Sequence, residues 1–165
     1  MNNGAPMETV EEFLAHAIQL EREAADRFAH LADAMEGGGN AEVGKLFRQL
    51  SHYSRLHLAD ARERSGFRDI PELKSGEFVW PDDESPESTA IWAADPLIGP
   101  DEALETALAA EMAGLNYYSD VLARATDPEI IAFAREFVDE EKAHVTELKR
   151  WIAARAQGKT VTLNI

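Results

Sequence analysis

Glu141 and His144 stand three residues apart in the stretch FVDEEKAHVTELKRW, Phe137 to Trp151. On a helix that spacing puts a carboxylate and an imidazole on one face. Such a pair can hold iron, manganese or zinc. A second stretch, LFRQLSHYSRLHLAD from Leu46 to Asp60, repeats the layout with His57 in place of His144, but with Ser54 where the carboxylate would stand. Two residue types three apart recur by chance in helical proteins, so the motif alone is weak. Its surroundings strengthen it. Side chains at i±3 and i±4 share a helix face, and for Glu21 these are Ala17, Ile18, Ala24 and Ala25. Glu111 has Ala107, Leu108, Gly114 and Leu115, and Glu141 has Phe137, Val138, His144 and Val145. Glu23, flanked by Gln19, Asp26 and Arg27, sits on an ordinary solvated face by the same test.

Three carboxylates aimed into apolar surroundings need a cation, because a buried unpaired charge costs several kcal/mol or more. The same neighbour test places lysine and arginine on the opposite faces, for example Arg22, Arg27, Lys142 and Lys149. The remaining inward polar groups are then His57, His144 and Ser54. Carboxylates and imidazoles without a basic side chain form a metal-ligand set. The alternative on these residues is a hydrogen-bonded Glu/His network that holds helix register. His16, His30 and His52 have mostly polar neighbours and read as surface residues. Tyr53 and Tyr118 fall beside the cluster, as hydrogen-bond donors to it, as redox-active phenols, or as plain core. Asp60, one turn beyond His57, is a substitute for the carboxylate that Ser54 lacks.

The elements that must position these groups are helices. Thr9 caps a first helix with Glu12 as its third residue, and apolar positions from Phe13 to Met35 recur at helical spacing. Glycines 37–39 end it, and Asn40 is placed to cap a second helix that fades near Ser65 and Gly66. Pro100 suits the first position of a third helix running to about Ala125. Asp127, Pro128 and Glu129 start a fourth that ends before Gly158. The expected architecture is all-α, a four-helix bundle spanning 9–156, built of two antiparallel hairpins joined by a crossover over 66–99, with a tail at 157–165. Within the crossover Phe78, Trp80, Trp92 and Leu97 are expected to pack along the bundle. The tail either adds a small strand or docks on a neighbour.

Position along the bundle tests the site independently. Glu21 lies about 17 residues before the first hairpin turn and His57 about 18 after it, so antiparallel packing brings them level. Glu111 lies about 15 residues before the second turn, and Glu141 and His144 about 14 to 18 after it. The halves also match in sequence. Ala17, Glu21, Ala24 and Phe28 align with Ala107, Glu111, Gly114 and Tyr118; Arg48, Leu50, Ser54 and His57 align with Arg135, Phe137, Glu141 and His144. A duplicated hairpin gives approximate two-fold symmetry with the site on the axis.

Composition narrows the function classes. The chain has no cysteine, which excludes disulfides, thiolate catalysis and Cys-based zinc or iron–sulfur sites. A net charge of −15 argues against nucleic acid as a partner and favours cations. The first residues lack a basic end and an apolar run, and no segment has the roughly 20 apolar residues of a membrane span. The expectation is a cytoplasmic protein.

On these residues the chain resembles the ferritin-like superfamily, in particular its rubrerythrin-type branch, over about 9–62 and 100–155. In that family each half supplies a Glu from one helix and a Glu-x-x-His from the next, holding two metals in the bundle core. The resemblance implies that Glu21 and His57 hold one metal, Glu111 and His144 the other, and that Glu141 bridges. It implies non-haem iron, with manganese or zinc as alternatives, and oxidoreductase activity toward oxygen, peroxide or ferrous iron with an external electron donor. A homodimer is also implied. The departures are Ser54 in place of the second bridging Glu, Gly114 where many rubrerythrins carry a further Glu, and no cysteine for a rubredoxin domain. A metal-binding module without turnover, or a structural bundle with a decayed site, are the competing readings.

Overall fold

Thr9 opens the first helix by accepting a hydrogen bond from the Glu12 amide on its hydroxyl, at 3.1 Å. In this computed structural model, which describes residues 9–66, 68–74, 77, 78, 80, 97–159 and 161, the helix α1 runs Val10–Gly37. It closes in a Schellman turn. The Asn40 amide reaches back to Met35 O at 2.7 Å and the Gly39 amide to Glu36 O at 3.2 Å. That geometry needs a left-handed residue at the turn, and Gly39, at φ 81°, is the glycine of the three that adopts it. Asn40 precedes α2, Ala41–Ser65, but its side chain makes no capping bond and instead donates to Gly38 O at 3.5 Å. Helix α3 spans Pro100–Arg124. Helix α4 spans Pro128–Ala156, with the Asp127 carboxylate accepting from the Glu129 amide at 2.8 Å. A second Schellman turn at Gly158, φ 66°, ends α4.

The fold is an all-α four-helix bundle. Helices α1 and α2 form one antiparallel hairpin and α3 and α4 the other, while α1 also touches both α3 and α4. No helix among the described residues is long and apolar enough to cross a membrane. Two apolar clusters fill the interior. One, towards the α1–α2 turn, includes Phe28, Leu31, Met35, Phe47, Leu50, Leu104, Leu148 and Trp151. The other, towards the α3–α4 turn, includes Phe13, Leu20, Tyr117, Tyr118, Ile130 and Phe137. Burying each large apolar side chain is worth about 1.5–3 kcal/mol, so these clusters set the register. Ion pairs between helices, such as Arg64–Glu136 (2.9 Å) and Arg155–Asp101 (2.6 Å), are exposed and add little.

The position of α1 corrects the expected surface. A helix against one neighbour buries one stripe, but α1 packs on three helices and buries a wider arc. Phe13, His16, Leu20, Ala24, Arg27 and Leu31, spaced three and four apart, form a second buried stripe. His16 is therefore inside rather than on the surface. Its Nδ1 lies 2.8 Å from Glu12 O, its ring packs against Phe78 (5.1 Å) and Trp80 (4.8 Å), and burial lowers its pKa. His30 and His52 are exposed, as expected. Within the crossover Phe78 and Trp80 pack on the bundle, whereas Trp92 lies outside the described residues. Leu97 is 91% exposed, and its neighbour Ile98 takes the buried place expected of it. Of the tail, Val161 docks into the first apolar cluster.

Candidate metal centre

Between the two apolar clusters lies a polar layer to which every helix contributes from its middle turns. Helix α1 brings Glu21 and Arg27, α2 brings Ser54 and His57, α3 brings Glu111, and α4 brings Glu141 and His144. Glu21, Ser54 and Glu111 are each 1% exposed, Glu141 is 3% and His144 is 4%. Glu111, Glu141 and His144 each offer a ligand atom, and these atoms all lie within 4.8 Å of one another. His144 Nδ1 is 3.3 Å from Glu111 Oε2. The His57 ring stacks on that of His144, centroids 5.5 Å apart, and its Nδ1 lies 3.8 Å from Glu21 Oε2. The Tyr118 hydroxyl donates to Glu21 Oε1 at 3.4 Å, and the half-buried Tyr53 ring is 6.4 Å from His144. All five residues singled out by sequence thus meet at one level, three of them in a tight group with Glu21 and His57 alongside.

Arg27 is the principal correction. Its helical neighbours Glu23, Ala24, His30 and Leu31 are half polar, which pointed outward. It is instead 1% exposed, and its Nη2 donates to Glu111 Oε1 at 3.0 Å. The carboxylates do have a basic partner. Arg22, Lys142 and Lys149 are exposed, as expected. Asp60 is no substitute ligand, since it is exposed and lies 3.8 Å from Arg64 on the outer face. Glu140 is the group that the neighbour test missed. Its Oε2 lies 3.4 Å from His57 Nδ1, at the half-exposed edge of the layer. The available signal was its place one turn before His144, with Phe137 and Ala143 as further neighbours.

The electrostatics separate the carboxyls. Burial pushes Glu21 well above the ordinary range, and the charges of Glu111 and Glu140 add to it. Burial, the charge of Glu111 and a hydrogen bond with it do the same to Glu141. Burial acts on Glu111 too, but hydrogen bonds with Glu141 and His144, and the charges of His144 and Arg27, hold it at about 2. Burial and the neighbouring His144 lower His57 to about 4. Burial, reinforced by Asp60 and Asp139, lifts Glu140 to about 7. Without a metal, then, the partners of Glu111, Arg27 among them, favour its ionised form, while burial disfavours charge on Glu21 and Glu141.

The donor set suits a divalent ion. Glu21 Oε2, Glu141 Oε2 and His57 Nδ1 are buried and accept or donate no hydrogen bond. Buried polar atoms are normally satisfied, and these two carboxyl oxygens and one imidazole nitrogen in a single layer are atom types that a cation would engage.

Fold and site together define a four-helix bundle whose mid-plane holds a buried Glu–Glu–His group that could bind a metal ion. No family model matches the sequence, and no curated protein matches it either. The chain is similar to a solved structure, an uncharacterized conserved protein of the COG1633 group from Magnetospirillum magnetotacticum MS-1, with 33% identity and a TM-score of 0.73. The match covers 95% of this chain and 99% of that one. The protein belongs to that COG1633 family.

Proposed function

We propose that the protein binds a divalent transition metal, iron in the first instance, through Glu111, Glu141 and His144, with Glu21 and His57 adjoining. The observation that carries this reading is the buried Glu111–Glu141–His144 group, with ligand atoms within 4.8 Å of one another, beside Glu21 Oε2, Glu141 Oε2 and His57 Nδ1, which make no hydrogen bond. The resemblance to rubrerythrin-type ferritin-like proteins supports it and suggests an oxidoreductase acting on oxygen, peroxide or ferrous iron, fed by an external donor and assembled as a homodimer. Bound iron would supply a redox couple; the protein's own residues supply the setting. Phe13, Tyr118 and Phe137, in edge and stacked contacts, close the layer on one side against water. His57 and Glu140, 16% and 32% exposed, form the side open to ions and small molecules. Burial raises the pKa of Glu141 and Glu21, so a cation entering the layer would displace protons from them.

A second reading is favoured by Arg27. With a guanidinium against Glu111, and with burial favouring the neutral forms of Glu21 and Glu141, the layer can stand without metal as a network that fixes helix register. Elemental analysis of chelator-free protein separates the two. Metal retained by the native chain and lost, by at least about 100-fold in affinity, from Glu141→Gln supports the metal site. A native chain that takes up no iron, manganese or zinc leaves the network reading standing.

A further inference from the structure

Arg27 is a fixed positive charge inside a layer otherwise read as built for metal. Its Nη2 is 3.0 Å from Glu111 Oε1, and both side chains are 1% exposed. Glu111 acts on it most strongly, followed by Glu141, Glu21 and Glu23. A guanidinium keeps its proton in any protein environment, so this charge cannot be titrated away.

The charge of the layer can be counted. Glu21, Glu111 and Glu141, fully ionised, carry −3; Arg27 adds +1, and the imidazoles are neutral when they ligate. One divalent ion brings the sum of −2 to zero. A second would leave +2 between two apolar clusters, where uncompensated charge is strongly disfavoured. The duplicated hairpins lead to the same result. A symmetric pair would carry four carboxylates and two imidazoles, neutral with two divalent ions. Ser54, buried at the place equivalent to Glu141, removes one negative charge, and Arg27 supplies one positive charge. The two changes together amount to one divalent ion. On the helix repeat Arg27 corresponds to Tyr117, so the arginine belongs to one half only. Glu23, and Glu140 at the half-exposed edge of the layer, are partly exposed and screened by solvent, and do not enter the count.

Resting on the metal site described above, we propose that Arg27 takes the part of a second cation and makes the centre mononuclear, with the ion on the Glu111–Glu141–His144 side. Arg27 is a specificity-determining residue for metal number. It anchors Glu111 through one oxygen and leaves the other facing His144.

The test is stoichiometry, read by titrating cobaltous ion into chelator-treated protein and following its visible absorption alongside elemental analysis. The native chain and Arg27→Lys, which retains the charge, are expected to bind one ion per chain. The double variant Arg27→Gln/Ser54→Glu, which reverses both charge changes, is expected to bind two. Two tightly bound ions in the native chain, or a single ion in a folded double variant, overturn the role of Arg27 while leaving the metal site in place. No binding by any form overturns the metal site and this inference with it. Should the double variant not fold, the native and lysine forms decide the question, since two ions in either refute it and one in each supports it.

Discussion

Replacing Arg27 by Met in metal-free protein removes one partner of a buried ion pair and keeps most of the side-chain volume. The Glu111 carboxylate, 1% exposed and 3.0 Å from the guanidinium, is then left without its cation. Breaking a buried pair in this way costs about 3–5 kcal/mol. For a chain of this size each kcal/mol corresponds to about 2–4 °C, so the melting temperature should fall by about 6–20 °C. The sign of the pH dependence follows from Glu111. Its folded pKa of about 2 is below the ordinary carboxylate value, so its contribution is present above about 4.5 and is lost as pH falls towards 2. The deficit of Arg27→Met should therefore be largest near neutral pH and shrink on acidification, as Glu111 gains a proton in both states. A companion variant, Arg27→Met/Glu111→Leu, removes both charges and should recover much of the loss. The assay is thermal unfolding by circular dichroism with chelator, at pH 7 and again at about pH 3, inside that window. A single variant melting within about 2 °C of native at pH 7, or a double variant whose loss equals the sum of the singles, would refute the buried pair as a stabilising unit.

Metal added to the native protein at a hundredfold excess over its dissociation constant should add about 2.7 kcal/mol, a rise of about 5–11 °C, and unchanged melting with ferrous or manganous ion would favour the network reading. Because burial holds Glu21 and Glu141 above the ordinary carboxylate range, metal binding should displace their protons, and affinity should weaken as pH falls. Calorimetric titration in two buffers of different ionisation heat measures that release, and equal heats in both would contradict it. In metal-free protein Glu140, raised to about 7, stabilises the fold below about 4.5 and loses that contribution as pH rises to 7. Glu140→Gln should therefore flatten the fall in stability over that window, as followed by denaturant titration at several pH values. Tyr118→Phe removes only the 3.4 Å bond to Glu21, so its cost should be at most about 1 kcal/mol, and a larger loss would mean that the hydroxyl does more than the structure accounts for.

What the sequence determined by itself was local or cumulative along one helix. Thr9, Gly39, Asp127 and Gly158 mark helix ends because caps and left-handed turns act through bonds to residues a few positions away. The level meeting of Glu21, His57, Glu111, Glu141 and His144 followed from a constant rise per residue and short hairpin turns. Their burial followed from apolar neighbours on the same face. Tertiary structure decided everything that depends on how many helices flank a given one. A test of i±3 and i±4 neighbours presumes a single buried stripe, which α1 exceeds by packing against three helices. His16 and Arg27 lie on its second stripe, so their mixed neighbours pointed outward while α3 and the crossover cover them. The choice of Ile98 over Leu97, and the meeting of Glu140 with His57 across two helices, likewise arise from contacts between segments distant in sequence. The charge of the site is in that second category. Its carboxylates were legible along the chain, but the cation that balances one of them is set in place only when α1 and α3 pack together.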